Sequence, residues 1–379
     1  MGSLLVKLIG AVYKIPLARI LSKQAYVDFN TAYNIYNFFL TISTAGLPVA
    51  LSKTISEATT LGRYRQADRV FTVALRTFLV LGGISFLAMS VFGDQLAILL
   101  GDDTAKYCVW CLSPSVLCVC IMAAFRGYYQ GHSYMVPTAV SQIIEATCKM
   151  IFGLALAYAV FRLLPGSETH RHRMSAAGAI AGVSIGSIVA LIYLFFFYHR
   201  DRRRNPPPKS TDRPDSDGAI LQRLLQLAIP ITLGSAAVSI VTLIDTKLVQ
   251  GRLQDALGYT LDQMRAAYGN YSACMDLYNL PSSLMVALTA SVIPAVSAAV
   301  TQRDRRQSAR IVRSSLRVTA LLAFPMGLGL WALSDPLFRL FYRSYNAELG
   351  GSLLAVLGIA SIFVCLMLIT NSILQAYGR

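Results

Sequence analysis

Charge is the scarcest feature of this sequence. Only 14% of its 379 residues are Asp, Glu, Lys or Arg, whereas 55% are hydrophobic and the mean hydropathy is +0.53. A soluble domain carries about 25% charged residues, so a water-solvated globule is excluded and an integral membrane protein is implied. Acidic residues are rarer still, 19 against 34 Lys and Arg, and no motif gathers them with the groups catalysis needs. There is no HExxH, no GxSxG, no P-loop and no carboxylate pair with a substrate face. An enzyme is not indicated. The seven cysteines fall almost wholly within apolar runs. Cys108 and Cys111 form a CxxC, but no second pair or histidine cluster joins them, so buried thiols are expected and not a metal site.

Apolar runs long enough to cross about 30 Å of hydrocarbon recur along the chain. They predict an all-α polytopic fold of about ten helices, near 4–22, 28–52, 70–92, 106–130, 135–162, 176–198, 221–249, 267–299, 311–333 and 352–377. The first run has no small-residue cleavage site and is followed by many others, so it reads as a membrane helix. The net charge of +15 lies mainly in connections, which makes it a signal of topology and not of nucleic-acid binding. Lys53, Arg63, Arg65 and Arg69 follow the second helix, "HRDRRRNPPPKSTDRPDSD" the sixth and "TQRDRRQSARIVRSSLR" the eighth. These alternate connections are assigned to the cytoplasm, as is the N-terminus. The opposite set includes the acidic "GDQLAILLGDDT", and only "RLLPGSETHRHRM", with Arg162, Arg171 and Arg173, departs from the pattern.

Residues 199–219 read as a charged, proline-rich cytoplasmic linker between an N-terminal six-helix lobe (1–198) and a C-terminal lobe (220–379). The halves echo one another. Tyr36–Asn37 recurs at Tyr278–Asn279, Pro48 at Pro294, Arg76 at Arg317 and Gln130 at Gln375. Four matches at nearly one offset indicate a duplicated module, a common construction in transporters. Six helices precede the linker and four follow it, so the second lobe is expected to be incomplete and the sequence a fragment.

Charges inside apolar helices are expensive and therefore informative. Lys14 and Arg19 lie in the first helix, Arg126 near the end of the fourth, Asp245 and Lys247 late in the seventh, and Asp276 in the eighth. Arg19, Arg126 and Lys247 are close enough to helix ends to snorkel, whereas Lys14 and Asp276 lie deeper. Glu145 and Lys149, four apart in the fifth helix, share a face and read as a neutralised structural pair. Tyr33, Asn34, Tyr36 and Asn37 in the second helix, and Tyr271, Tyr278 and Asn279 in the eighth, read as belt or packing residues or as a polar cavity wall.

The stretches "YKIPLARIL", "AGLPVALSKTISE", "RGYYQGHSYMVPTAVSQIIE" and "AIPITLGSAAVSIVTLIDTKLV" resemble the stage V sporulation protein B and polysaccharide biosynthesis branch of the multidrug/oligosaccharidyl-lipid/polysaccharide (MOP) exporter superfamily, related to lipid II flippases. The resemblance implies a two-lobe, inverted-V fold like that of MATE exporters. It also implies a multi-pass protein of the bacterial inner membrane that flips polyprenyl-diphosphate-linked saccharides of the cell envelope by alternating access. Lys14 and Arg19 would receive the phosphates, and Arg126 is a further candidate substrate-binding residue. Tyr36, Asn37, Asp276, Tyr278 and Asn279 would line the path. Asp245 stands where some relatives hold a coupling sodium ion. No cofactor is implied beyond such an ion or a proton, and a monomer is expected in the bilayer. The alternatives are a cation-coupled drug exporter of the same superfamily, which would favour acidic cavity residues, and a non-transporting scaffold in spore or envelope assembly.

Overall fold

Backbone that enters hydrocarbon finds no water, so each N–H and C=O must be satisfied within its own segment, and apolar runs become helices. The computed structural model describes residues 6, 9–10, 13, 16–100, 104–165, 167–206, 208, 210–301, 304–342 and 346–376. Residues 16–20 are helical, and twelve longer or separate helices follow among the described residues. They begin with α1 (Lys23–Thr44), α2 (Leu47–Thr60), α3 (Tyr64–Val91) and the short α4 (Gly93–Leu99). Next come α5 (Lys106–Gly131), α6 (Val136–Leu163), α7 (Glu168–Arg204) and α8 (Asp217–Asp255). The last are α9 (Leu261–Thr301), α10 (Arg305–Ala332), the short α11 (Ser334–Phe341) and α12 (Ala347–Ala376). Eight helical stretches among the described residues are long and apolar enough to cross a membrane, with α1 and α2 together forming one of them.

The predicted helix over 28–52 is interrupted at Ala45–Gly46. Pro48 sits in the first turn of α2, where its missing N–H is harmless and its fixed φ suits a helix start. The first part of the acidic stretch after α3, expected as a connection, folds as α4 (Gly93–Leu99), and residues 101–103 lie outside the described residues. The duplication is visible in the helix starts themselves. Tyr64 and Arg305 open 28-residue helices 241 positions apart, and α4 with α11 and α5 with α12 begin at that same spacing.

The chain divides into two compact units, one of residues 24–264 and one of residues 265–379 together with 3–23. In the larger unit α7 lies against α6 along three glycines, Gly178, Gly182 and Gly186, spaced four apart. A Cβ at Gly182 would overlap the Gly153 backbone, and one at Gly186 would stand 2.9 Å from the Glu145 carbonyl oxygen and 3.0 Å from the Lys149 nitrogen. Lipid tails supply no hydrophobic drive between helices, so such close backbone approach supplies the dispersion contact instead. The same device seats α5 on α2, with Gly127 near Leu51 and Gly131 near Ile55. Hydroxyl pairs stitch further helices together: Ser43 with Ser85 at 2.9 Å, Ser90 with Ser113 at 3.0 Å and Ser115 with Ser184 at 2.9 Å. In the smaller unit α10 meets α12 through Gly327, facing the Gly358 carbonyl and Ile362, around a core of Met285, Ala323, Ile362 and Cys365.

Residues 199–204, expected within the linker, continue α7, and the segment that follows is tied down. Helix α3 begins without a capping side chain of its own. Asp212 supplies the cap from a distant part of the sequence, its carboxylate accepting from the backbone N–H of Arg65 at 3.2 Å and of Gln66 at 2.9 Å. Asp215 accepts from Arg63 at 3.1 Å and from the Gln66 amide at 2.8 Å, and Asp217 accepts from Arg69 at 2.6 Å. Mixed charge, which argues against a packed core, here gives the segment its partners. The basic residues of the aberrant connection also have company: Arg162 lies over the Tyr158 ring at 5.4 Å and Arg171 over the Phe161 ring at 5.3 Å.

Two expectations follow from this packing. Gly182→Leu forces α7 off α6 and should lower stability by about 2–3 kcal/mol, whereas Gly83→Ala, with open space around it, should be neutral or stabilising; SDS-titrated unfolding distinguishes them. Partial desolvation raises the Asp212 carboxyl, but the hydrogen bonds from Ser210 and from the Gln66 and Arg65 backbone outweigh it and hold the group below the usual carboxylate range. A group depressed on folding stabilises above its unfolded value and loses that contribution as pH falls through the folded one. Amide exchange at residues 65–66, corrected for intrinsic rate, should therefore accelerate on acidification, and Asp212→Asn should remove the pH dependence.

Candidate functional site

Helices α5 and α6 are joined by a tight turn at 132–135, in which Ser133 takes a positive φ of 57° and the His132 ring nitrogen Nδ1 lies 2.9 Å from the Tyr128 carbonyl. So short a turn makes the two helices antiparallel neighbours. It brings Arg126, one turn before the end of α5, opposite the second and third turns of α6. There the guanidinium of Arg126 donates to Glu145 at 2.8 Å and to Ser141 Oγ at 3.0 Å. The side chains of this ion pair are 14% and 24% exposed. One turn further along α6, the Lys149 ammonium donates to the Tyr33 hydroxyl of α1 and lies 4.5 Å from the centroid of that ring. Tyr33 stacks edge-on with Tyr36 at 5.7 Å, and buried Tyr36 is within electrostatic reach of Glu145 and Arg126. Asn37 is exposed beside it.

The result is one group within the larger unit: Tyr33 and Tyr36 from α1, Arg126 from α5, and Ser141, Glu145 and Lys149 from α6. Two cations against one carboxylate leave a net positive charge, flanked by phenol and hydroxyl donors. Such a set can receive an anionic oxygen through charge-assisted hydrogen bonds and meet neutral hydroxyls beside it. Position along α6 is held from behind by α7, because Gly186 packs directly on the Glu145 and Lys149 backbone.

The predicted site residues divide. Arg126 and Tyr36 are brought together, with Asn37 adjacent. Lys14 lies outside the described residues. Arg19 is exposed, and its guanidinium donates to the Leu340 carbonyl at 2.6 Å, satisfying one of the last carbonyls of α11. Asp276 and Tyr278 are half-buried on α9 in the smaller unit, and Asn279 is exposed there, its carbonyl accepting from Ser282 at 3.3 Å. Asp245 is exposed on α8, next to Thr246, which accepts from Asn34 at 3.1 Å. Among the described residues no group of three His, Cys, Asp or Glu is placed to hold a metal ion. Sequence reasoning missed Ser141, Glu145, Lys149 and Tyr33 as members of one group. Arg126 lies 19 residues from Glu145, and only the length of the intervening turn reveals that they face each other.

Helical topology and a positively charged polar group among helices long and apolar enough to cross a membrane define a polytopic membrane protein. Residues 1–300 match the family described as polysaccharide biosynthesis protein, and residues 230–379 match MatE; the chain belongs to the polysaccharide biosynthesis protein family, in the flippase branch of the MOP superfamily. It is 25% identical to the lipid II flippase MurJ of Bacillus subtilis (strain 168), covering 100% of this chain and 71% of that protein. With stage V sporulation protein B of the same organism it shares 23% identity over 91% of this chain and 66% of the relative. Among solved structures, an inward-facing MATE-family multidrug transporter of the MOP superfamily superposes with a TM-score of 0.73 at 14% identity, over 100% of this chain and 81% of the other. The fold is therefore MATE-like.

Removing one partner of the Arg126–Glu145 pair strands a charge in a poorly hydrated place. Glu145→Ala should cost about 2 kcal/mol in SDS-titrated unfolding, whereas the double replacement Arg126→Met with Glu145→Leu should cost less than either single loss.

Proposed function

We propose that this protein flips a polyprenyl-diphosphate-linked saccharide of the cell envelope across a bacterial inner membrane by alternating access. The observation that carries the reading is the net positive group formed by Arg126, Glu145 and Lys149 among phenol and hydroxyl side chains. A lipid-linked sugar can leave its apolar tail in the bilayer, but its diphosphate and sugar cannot cross hydrocarbon unaided. Lys149, held over Tyr33, offers ammonium protons to a phosphate oxygen, and Arg126 can exchange part of its hydrogen bonding from Glu145 to the same oxygens. Tyr33, Tyr36 and Asn37 suit sugar hydroxyls. Lys14 and Arg19 are proposed to add positive charge along the path, and Asp276, Tyr278 and Asn279 to line it from the second repeat. The basic connections and the N-terminus are proposed to face the cytoplasm, following the distribution of Lys and Arg.

A positive site disfavours cationic drugs, which argues against the drug-exporter alternative. The test follows a fluorescent polyprenyl-diphosphate sugar in proteoliposomes. Lys149→Gln removes one charge-assisted hydrogen bond, worth about 1.5–3 kcal/mol, and should slow translocation about 10–100-fold at equal folded yield. Tyr33→Phe should have a smaller effect. Equal rates for wild type and Lys149→Gln would remove this group from the path, and absence of movement for a panel of such lipids, with cationic dyes exported instead, would favour drug export.

A further inference from the structure

A cavity within the larger unit shares no residue with the group just described. It has a volume of about 590 Å³ and is walled by Ile98 and Leu99 of α4 and by Ile244, Leu248, Lys247 and Gln250 of α8, among others. A second hollow of about 400 Å³, lined by Leu248, Val249, Leu253, Ala256 and Leu257, adjoins it. Leu248 and Arg252 line both. Two largely apolar troughs thus meet at one guanidinium.

Three features of this place need an occupant. Gln250 is 2% exposed, and neither atom of its carboxamide has a hydrogen-bond partner, a rare condition for a buried amide. Lys247 and Arg252 form no ion pair among the described residues, and with Asp255 on the same wall they leave one net positive charge. The apolar walls are open: Ile98, Leu99, Leu248 and Leu257 are each more than half exposed. Position fits as well. Asp217, tied to α3 beside the basic segment, and Lys247 are 30 residues apart on one helix, roughly 45 Å at 1.5 Å per residue. That is about the full thickness of a bilayer with its head groups, a length that lets Lys247 and Arg252 reach the head-group region of the opposite leaflet.

We propose that this site binds an anionic two-chain phospholipid of that leaflet, independently of the flipping reading. The phosphodiester would sit between Lys247 and Arg252 and neutralise the single net positive charge that these two and Asp255 leave. One acyl chain would lie in each trough, and Gln250 and Gln254 would meet the ester or glycerol oxygens.

The experiment measures thermal unfolding of the purified protein in a neutral detergent with phosphatidylglycerol, phosphatidylcholine, lyso-phosphatidylglycerol or inorganic phosphate added. Phosphatidylglycerol should raise Tm by about 4 °C at saturation, and the other three by clearly less. Lys247→Gln with Arg252→Gln, both at exposed positions, should keep the basal Tm and lose the response. Ala256→Trp, which fills the second trough, should reduce the response to phosphatidylglycerol to that of its lyso form. An equal shift with phosphatidylcholine would overturn the role of charge. An equal shift with the lyso form would replace the ligand by a single-chain anionic lipid, and one with inorganic phosphate would leave an anion site without a lipid. A full response in the double variant would place the lipid elsewhere.

Discussion

A charge inside a low-dielectric layer must be met by the protein itself, and in this chain the burden falls on the pair Arg126–Glu145. Its geometry is set by a four-residue turn between α5 and α6, and its depth by the glycine seam that presses α7 onto α6. The seam and the pair are one construction. Gly186 packs on the same stretch of backbone that carries Glu145 and Lys149, so helix packing and polar chemistry share residues. Lys149 is then delivered to Tyr33 by the fixed spacing of one helical turn from Glu145. A bulkier residue in the seam would move the site as well as loosen the fold.

The same economy of contact holds in both halves. Gly327 against Gly358 and Ile362 in the second half does for α10 and α12 what Gly82 against Cys120 does for α3 and α5 in the first. Helix starts recur 241 residues apart, close to the offset of the Tyr–Asn pair. Duplication preserves the helix starts, while the residues at which backbones approach differ: Gly82 corresponds to Ala323 and Gly327 to Phe86 at that offset. At the basic ends the logic is different. Water is present, individual ion pairs are weak, and the segment after α7 is held by several at once together with the cap that Asp212 places on α3.

Parts of the site are legible in the residues alone. Arg126 stands out because a cation in an apolar run needs a reason, and Tyr36–Asn37 because it recurs. Glu145 and Lys149 are also visible as charges four apart, and their spacing suggests that they neutralise one another. Folding also brings Glu145 to Arg126, since the antiparallel return of α6 puts a guanidinium with two donors in a fixed fork within reach. Arg19 illustrates the converse. The resemblance places it in a cavity and its position near a helix end allows it to snorkel, but its hydrogen-bond partner, the carbonyl of Leu340 more than 300 residues away in sequence, is one that no local pattern could reveal.

Scarcity of charge, the length of the apolar runs, the position of Pro48 and the repeated motifs were enough by themselves to determine a helical membrane protein made by duplication, because these are consequences of local backbone chemistry and of the thickness of a bilayer. Which helices touch was decided only by the tertiary structure. Small residues at Gly178, Gly182 and Gly186 permit close approach, but a helix surface does not name its partner. The partner follows from turn geometry and from three-dimensional fit, and with it come the pairing of Arg126 with Glu145, the seating of Lys149 on Tyr33 and the capping of α3 by Asp212.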